Sequence, residues 1–60
     1  QQDGLTLNEA VERVRRKYQN SRILSAETRR NGNREVHIIK VLTEDGKVVT
    51  ERIPGRSTRG

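Results

Sequence analysis

The sequence predicts an α+β domain in which one N-terminal helix lies across a three-stranded antiparallel meander. Three observations lead there. A capping box opens a run of apolar residues at helical spacing, Leu7, Ala10, Val11, Val14 and Tyr18. Val36 to Leu42 is the most apolar and most β-branched stretch of the chain, with Lys40 its only charge. Asp45-Gly46 then separates that stretch from a second one, Val48 to Ile53. β-Branched residues suit a pleated surface, and Asp-Gly between two such runs is a hairpin signal.

The elements follow in chain order. Residues 1–4 form a polar lead-in expected to be flexible. In Thr6-Leu7-Asn8-Glu9 the Thr6 hydroxyl can accept from the Glu9 amide while the Glu9 carboxylate reaches back. Leu5 and Ala10 stand at hydrophobic-staple positions on either side of that cap. Glu12 can pair with Arg15 or Arg16, and Arg15, Arg16 and Lys17 suit the negative end of the helix dipole. Asn20-Ser21 stops the helix, which is expected over about 7–19. A first, diluted strand is expected over about 22–30, where Ile23, Leu24, Ala26 and Thr28 alternate imperfectly among arginines. Asn31-Gly32-Asn33 supplies a tight turn, because Asn and Gly tolerate positive φ. The second strand is expected over about 34–43, the second turn at Glu44-Asp45-Gly46-Lys47, and the third strand over about 48–53. Pro54-Gly55 is read as its end, leaving residues 54–60 as a disordered basic tail. The domain proper is therefore residues 5–53.

Composition narrows what such a domain can be. With 60 residues, 28% of them hydrophobic and Tyr18 the sole aromatic, the core must be built from Leu, Ile, Val and Ala. A chain this size buries only about 60% of its unfolded surface, so its stability is marginal and self-association is one ordinary remedy. The net charge of +5 rests on ten arginines and suits an acidic partner. There is no cysteine, hence no disulfide framework. The longest apolar run falls far short of the ~20 residues of a membrane-spanning helix. A start at Gln1 without Met fits a chain whose leader is removed.

The middle strand is apolar on both faces. His37, Ile39 and Val41 occupy one, and Val36, Ile38 and Leu42 the other, interrupted by Lys40. One helix covers one face, and a solvated face would ordinarily alternate to polar. The stripe Leu7, Val11, Val14 and Tyr18 is expected on the face of Ile39 and Val41. Val36, Ile38, Lys40 and Leu42 then form the candidate protein-contact face, for a second copy or another protein.

These residues resemble the PepSY domain family. Thr6 to Val11, a short basic helix, and Arg22-Ile23-Leu24-Ser25-Ala26-Glu27 are similar to the opening of such a domain. Gly32, Val36 to Leu42 and Glu44-Asp45-Gly46-Lys47-Val48 are similar to its glycine, tyrosine-x-valine-x-valine and aspartate-glycine pattern. The similarity covers residues 5–53. His37 stands where the family usually has an aromatic, and Ile53-Pro54-Gly55 replaces its usual valine-aspartate. The resemblance implies a small α+β module of periplasmic, secreted or membrane-anchored bacterial proteins. It also implies protein binding or restraint of peptidase activity, with no catalytic residues.

The chemistry readable from the chain agrees with a non-enzymatic module. His37 is the only histidine, and no third ligand lies near Glu35 and His37, so no metal and no cofactor is assigned. His37 is expected to be packed and hydrogen-bonded, and is a candidate pH-sensitive group near pH 6.5. No oriented Ser/His/Asp set can be built on it. Glu44-Asp45-Gly46 is too short for a calcium loop. The alternative reading is a nucleic-acid- or polyanion-binding protein, with Arg13, Arg15, Arg16, Arg22, Arg29, Arg30 and Arg34 as a candidate basic patch. It ranks second, because the strands lack stacking aromatics and one helix makes no helix-turn-helix. The expected partners are a second copy or an envelope protein, including a peptidase.

Overall fold

The computed structural model describes residues 4–57. Within them lie one helix, α1 (Leu7–Lys17), and three strands, β1 (Arg22–Asn31), β2 (Arg34–Leu42) and β3 (Val48–Ser57). The strands form a sheet of order β1-β2-β3 with both pairings antiparallel. This is the α+β meander that the sequence predicts.

The local signals act as their chemistry requires. The Thr6 amide donates to Glu9 Oε1 at 2.9 Å and the Glu9 amide to Thr6 Oγ1 at 3.2 Å, closing the capping box. The loop Gly32-Asn33 joins β1 to β2, with positive φ (67°) at Gly32 alone, as a tight II′-type connection needs. Between β2 and β3 the Gly46 amide bonds the Thr43 carbonyl, Gly46 takes φ 84°, and Thr43 pairs with Lys47. That is a three-residue hairpin loop, and it sets the register Leu42↔Val48 through Ile38↔Arg52.

Two element ends and one irregularity depart from expectation by more than a residue. The helix ends at Lys17 rather than 19, because Tyr18 leaves helical geometry as its cap and Ser21 Oγ donates to the Tyr18 carbonyl. β1 carries a bulge between Ile23 and Ser25, which keeps Ile23 and Ala26 facing the same side opposite Val41 and Ile39. β3 does not end at Ile53 but runs through Pro54 and Gly55 to Ser57. The Pro54 carbonyl accepts from the Leu5 amide, on the outer side of the sheet. The nitrogen of the same residue points the same way, so proline removes no bond to β2. A register shift opposite Glu35 absorbs the next step. The rest of the expected tail, residues 58–60, lies outside the described residues.

The core is thin. Ala10 and Val14 of α1 bury against Ile39, Val41 and Ile53, with Leu5, Val11, Tyr18 and Ile23 packed around them. The helix thus covers the face of Ile39 and Val41, as expected, with Ala10 and Val14 as its two fully buried residues and Leu7 at the margin. Both ends of the helix layer are pinned to the sheet. At the C-terminal end Tyr18 donates its hydroxyl to Glu51 Oε2 at 2.5 Å, and Lys17 Nζ lies 3.4 Å from the same carboxylate. At the N-terminal end His37, 3% exposed, donates from Nε2 to the Leu5 carbonyl at 2.6 Å. Its Nδ1 lies 2.8 Å from the Thr28 hydroxyl.

The Tyr18 phenol is held above its ordinary value of 10.0, chiefly because its hydrogen bond to Glu51 needs the proton and secondarily through desolvation. A folded-state value above the unfolded one means the bond contributes fully below about pH 10 and is lost as pH rises through the raised value. Urea midpoints should therefore fall on alkaline titration in the parent, and fall less in Tyr18→Phe. Parallel curves for the two proteins would refute this role for the Tyr18–Glu51 bond.

Candidate protein-contact face

Strand alternation divides β2 between two environments. His37, Ile39 and Val41 point under α1 and are buried, whereas Val36, Ile38 and Leu42 are half-buried and Lys40 is exposed on the opposite face. No described element covers that opposite face. The pairing register supplies its two margins. Along β1 they are Arg22, Leu24 with Ser25, Glu27 and Arg29; along β3 they are Val48, Thr50, Arg52 and Pro54. Leu24 and Val48 are the two large hydrophobics left exposed, at 48% and 60%.

Each apolar residue of the central row has an arginine as its direct cross-strand neighbour. Val36 pairs with Arg29, Ile38 with Arg52 and Leu42 with Arg22. Arg34, at the tip, continues the row and shares a concavity of about 370 Å³ with Val36, Arg52 and Pro54. Cations at 22, 29, 34, 40 and 52 thus stand on this face against Glu27, which Arg29 approaches at 3.3 Å, and Glu35 joins Arg34 and Arg52 in lining the concavity at the tip. The face is an apolar strip with basic margins.

The expected contact residues Val36, Ile38, Lys40 and Leu42 are therefore brought together on one uncovered surface. The seven arginines of the expected basic patch are not. Arg15 pairs with Glu12 on the helix at 3.7 Å, and Arg30 faces Glu35 at 3.8 Å on the helix side of the sheet. Arg13 and Arg16 line a groove along the helix with Glu9 and Glu12. Arg22, Arg29 and Arg34 join the open face instead. Arg52, Leu24, Val48 and Pro54 belong to that face as well and were not assigned to it from the sequence. Counting outward from the Asp45-Gly46 turn would have set Arg52 beside Ile38. The β1 bulge that frees Leu24 has no comparable signal.

His37 is packed as expected, with both ring nitrogens satisfied. The Leu5 carbonyl can only accept, so Nε2 carries a proton, and the Thr28 hydroxyl can either donate to Nδ1 or accept from it. Among the described residues no group of three or more His, Cys, Asp or Glu side chains could hold a metal. No helix among them is long and apolar enough to cross a membrane. Comparison with protein-family models, with curated proteins and with solved structures gives no match.

Two substitutions test this geometry. A Cβ on Gly55 would sit 2.8 Å from His37 Nε2 and 3.1 Å from Glu35 Cβ. Gly55→Ala should therefore cost about 1–3 kcal/mol by overpacking, read as a lowered urea midpoint. An unchanged midpoint would show that the imidazole yields freely. On the open face, Ile38→Asp should cost only about 1 kcal/mol of strand preference. Ile39→Ala should cost about 2–5 kcal/mol, a large share of what a small domain possesses. A larger loss for Ile38→Asp than for Ile39→Ala would mean that the faces are assigned backwards.

Proposed function

We propose that this chain is a non-enzymatic protein-binding module of the PepSY type, working in the bacterial periplasm or outside the cell, and that the open sheet face is its contact surface. The observation that carries the reading is the row Val36, Ile38 and Leu42, left uncovered although it lies on the central strand. A lone surface apolar residue needs no explanation, but three on one strand face, broken only by Lys40 and each beside an arginine, make an apolar centre with charged neighbours, which is how contact surfaces are built. Restraint of a peptidase, which the family resemblance implies, is one form this binding would take.

A second copy is the simplest partner for a thin domain, and a C2 pairing of open faces would hide both rows. With the two-fold along β2, the outer strands would exchange places, so that Arg52 of one copy lies over Glu27 of the other, but Lys40 in the central row would meet its own copy. Self-association through this face therefore requires an offset that relieves the repulsion between the two Lys40 side chains. Nucleic acid is the poorer fit. Tyr18, the sole aromatic, is tied to Glu51 on the helix side, so the open face offers no ring for base stacking.

Immobilised chain with an intact open face, compared with Ile38→Asp, should retain a protein from nuclease-treated envelope extract that the variant does not. Sedimentation equilibrium at low and high salt identifies the case in which that protein is the chain itself. Equal retention by both baits, or loss of retention on nuclease treatment, would defeat the reading.

A further inference from the structure

Resting on the reading of the open face as a protein-contact surface, we propose its occupant: an amphipathic helix of a partner protein, with acidic residues flanking its apolar stripe. Width is the first argument. Three strands at about 4.8 Å spacing place the outer two roughly 10 Å apart, the diameter of one helix. The covered face demonstrates the fit, since α1 alone closes it with Ala10 and Val14. The row from Val36 to Leu42 runs about 20 Å, which a helix of some thirteen residues spans.

Charge is the second argument, and it selects the sign. On the covered face the sheet contributes a carboxylate, Glu51, and the helix answers with Lys17. On the open face the sheet contributes Arg22 and Arg29 along one margin and Arg52 along the other. Arg22 and Arg52 make no ion pair among the described residues, and Arg29 is half-engaged by Glu27. A helix lying on Val36, Ile38 and Leu42 would bring its flanking positions over those guanidiniums, where carboxylates form charge-assisted, bidentate bonds.

Other occupants fit less well. An added strand would pair at a sheet edge, but the β1 edge is bulged at Leu24 and charged, and the Leu5 amide already takes the Pro54 carbonyl on the β3 edge. A bilayer would meet no aromatic on this face. A second copy meets the repulsion described above.

The test is a titration of isotopically labelled protein with two synthetic helical peptides of about sixteen residues, identical in their Leu/Ala stripe and carrying Glu or Lys at the flanks. The Glu peptide should shift the amides of Val36, Ile38, Leu42 and their strand neighbours. Its Kd should rise about tenfold or more between roughly 0.05 and 0.5 M salt. Arg29→Glu with Arg52→Glu should weaken the Glu peptide at least tenfold and admit the Lys peptide, a swap that mere loss of folding cannot produce. Equal binding of both peptides, or shifts confined to α1, would overturn the proposal. So would uptake of anionic vesicles through these residues without peptide binding. If the Glu peptide fails while Ile38→Asp still abolishes capture of an envelope protein, the surface stands and only its helical, acidic occupant is wrong.

Discussion

The architecture turns on a mismatch between one strand and the helices available to cover it. β2 is apolar on both faces and sits between two neighbours, which is how a strand in the middle of a layered protein is composed. This chain brings one helix to it. Ile39 and Val41 are sealed by Ala10 and Val14, and among the described residues no element lies over the largely apolar row on the reverse side. Everything else in the fold either secures the covered face or makes the uncovered one tolerable.

Securing the covered face falls to polar contacts as much as to packing, because the buried apolar set is only five residues. The helix is short and its isolated helicity would be marginal. It is held at one end by Tyr18 and Lys17 on Glu51, and at the other by Leu5, whose amide and carbonyl are taken by Pro54 and His37. His37 could reach Leu5 only because Gly55 leaves the space above its ring. The histidine, the glycine and the proline of β3 therefore form one unit whose task is to fix the chain entering α1. In that unit a ring with two hydrogen-bonding nitrogens serves where a phenyl ring would leave the Leu5 carbonyl unpaired.

Much of this was legible from residue order, for identifiable reasons. The capping box, the helical stripe and the Asp45-Gly46 turn are local signals, and each forms as its spacing implies. The assignment of faces followed from period-two alternation along β2. What could not be read were events decided between elements. Pro54-Gly55 looks like a terminator, yet an edge strand tolerates proline when the missing donor faces outward, and only the contact with Leu5 reveals that it does. The arginines at the helix end and around the first turn do not share one surface, because alternation sends Arg29 to the open face and Arg30 to the covered one, where Glu35 meets it. The bulge at Leu24 is a tertiary adjustment that lets Ile23 and Ala26 share a face, and no residue there announces it.

The arginines of the open face also bear on how the chain tolerates an uncovered apolar row. A flat, neutral, apolar sheet face invites stacking with its own copies, and like charges set beside each row residue oppose that stacking. The same charges cost little against water and attract carboxylates, so they discriminate rather than merely repel. Arginine suits this double task better than lysine. Its stem covers apolar neighbours while its planar head pairs bidentately with a carboxylate, and it is more weakly hydrated than an ammonium. Arg22, Arg29, Arg34 and Arg52, against the single lysine Lys40, are then intelligible choices on this face. As the proposed contact surface it would be selective through what it rejects, its arginines choosing a partner as much as its apolar centre would bind one.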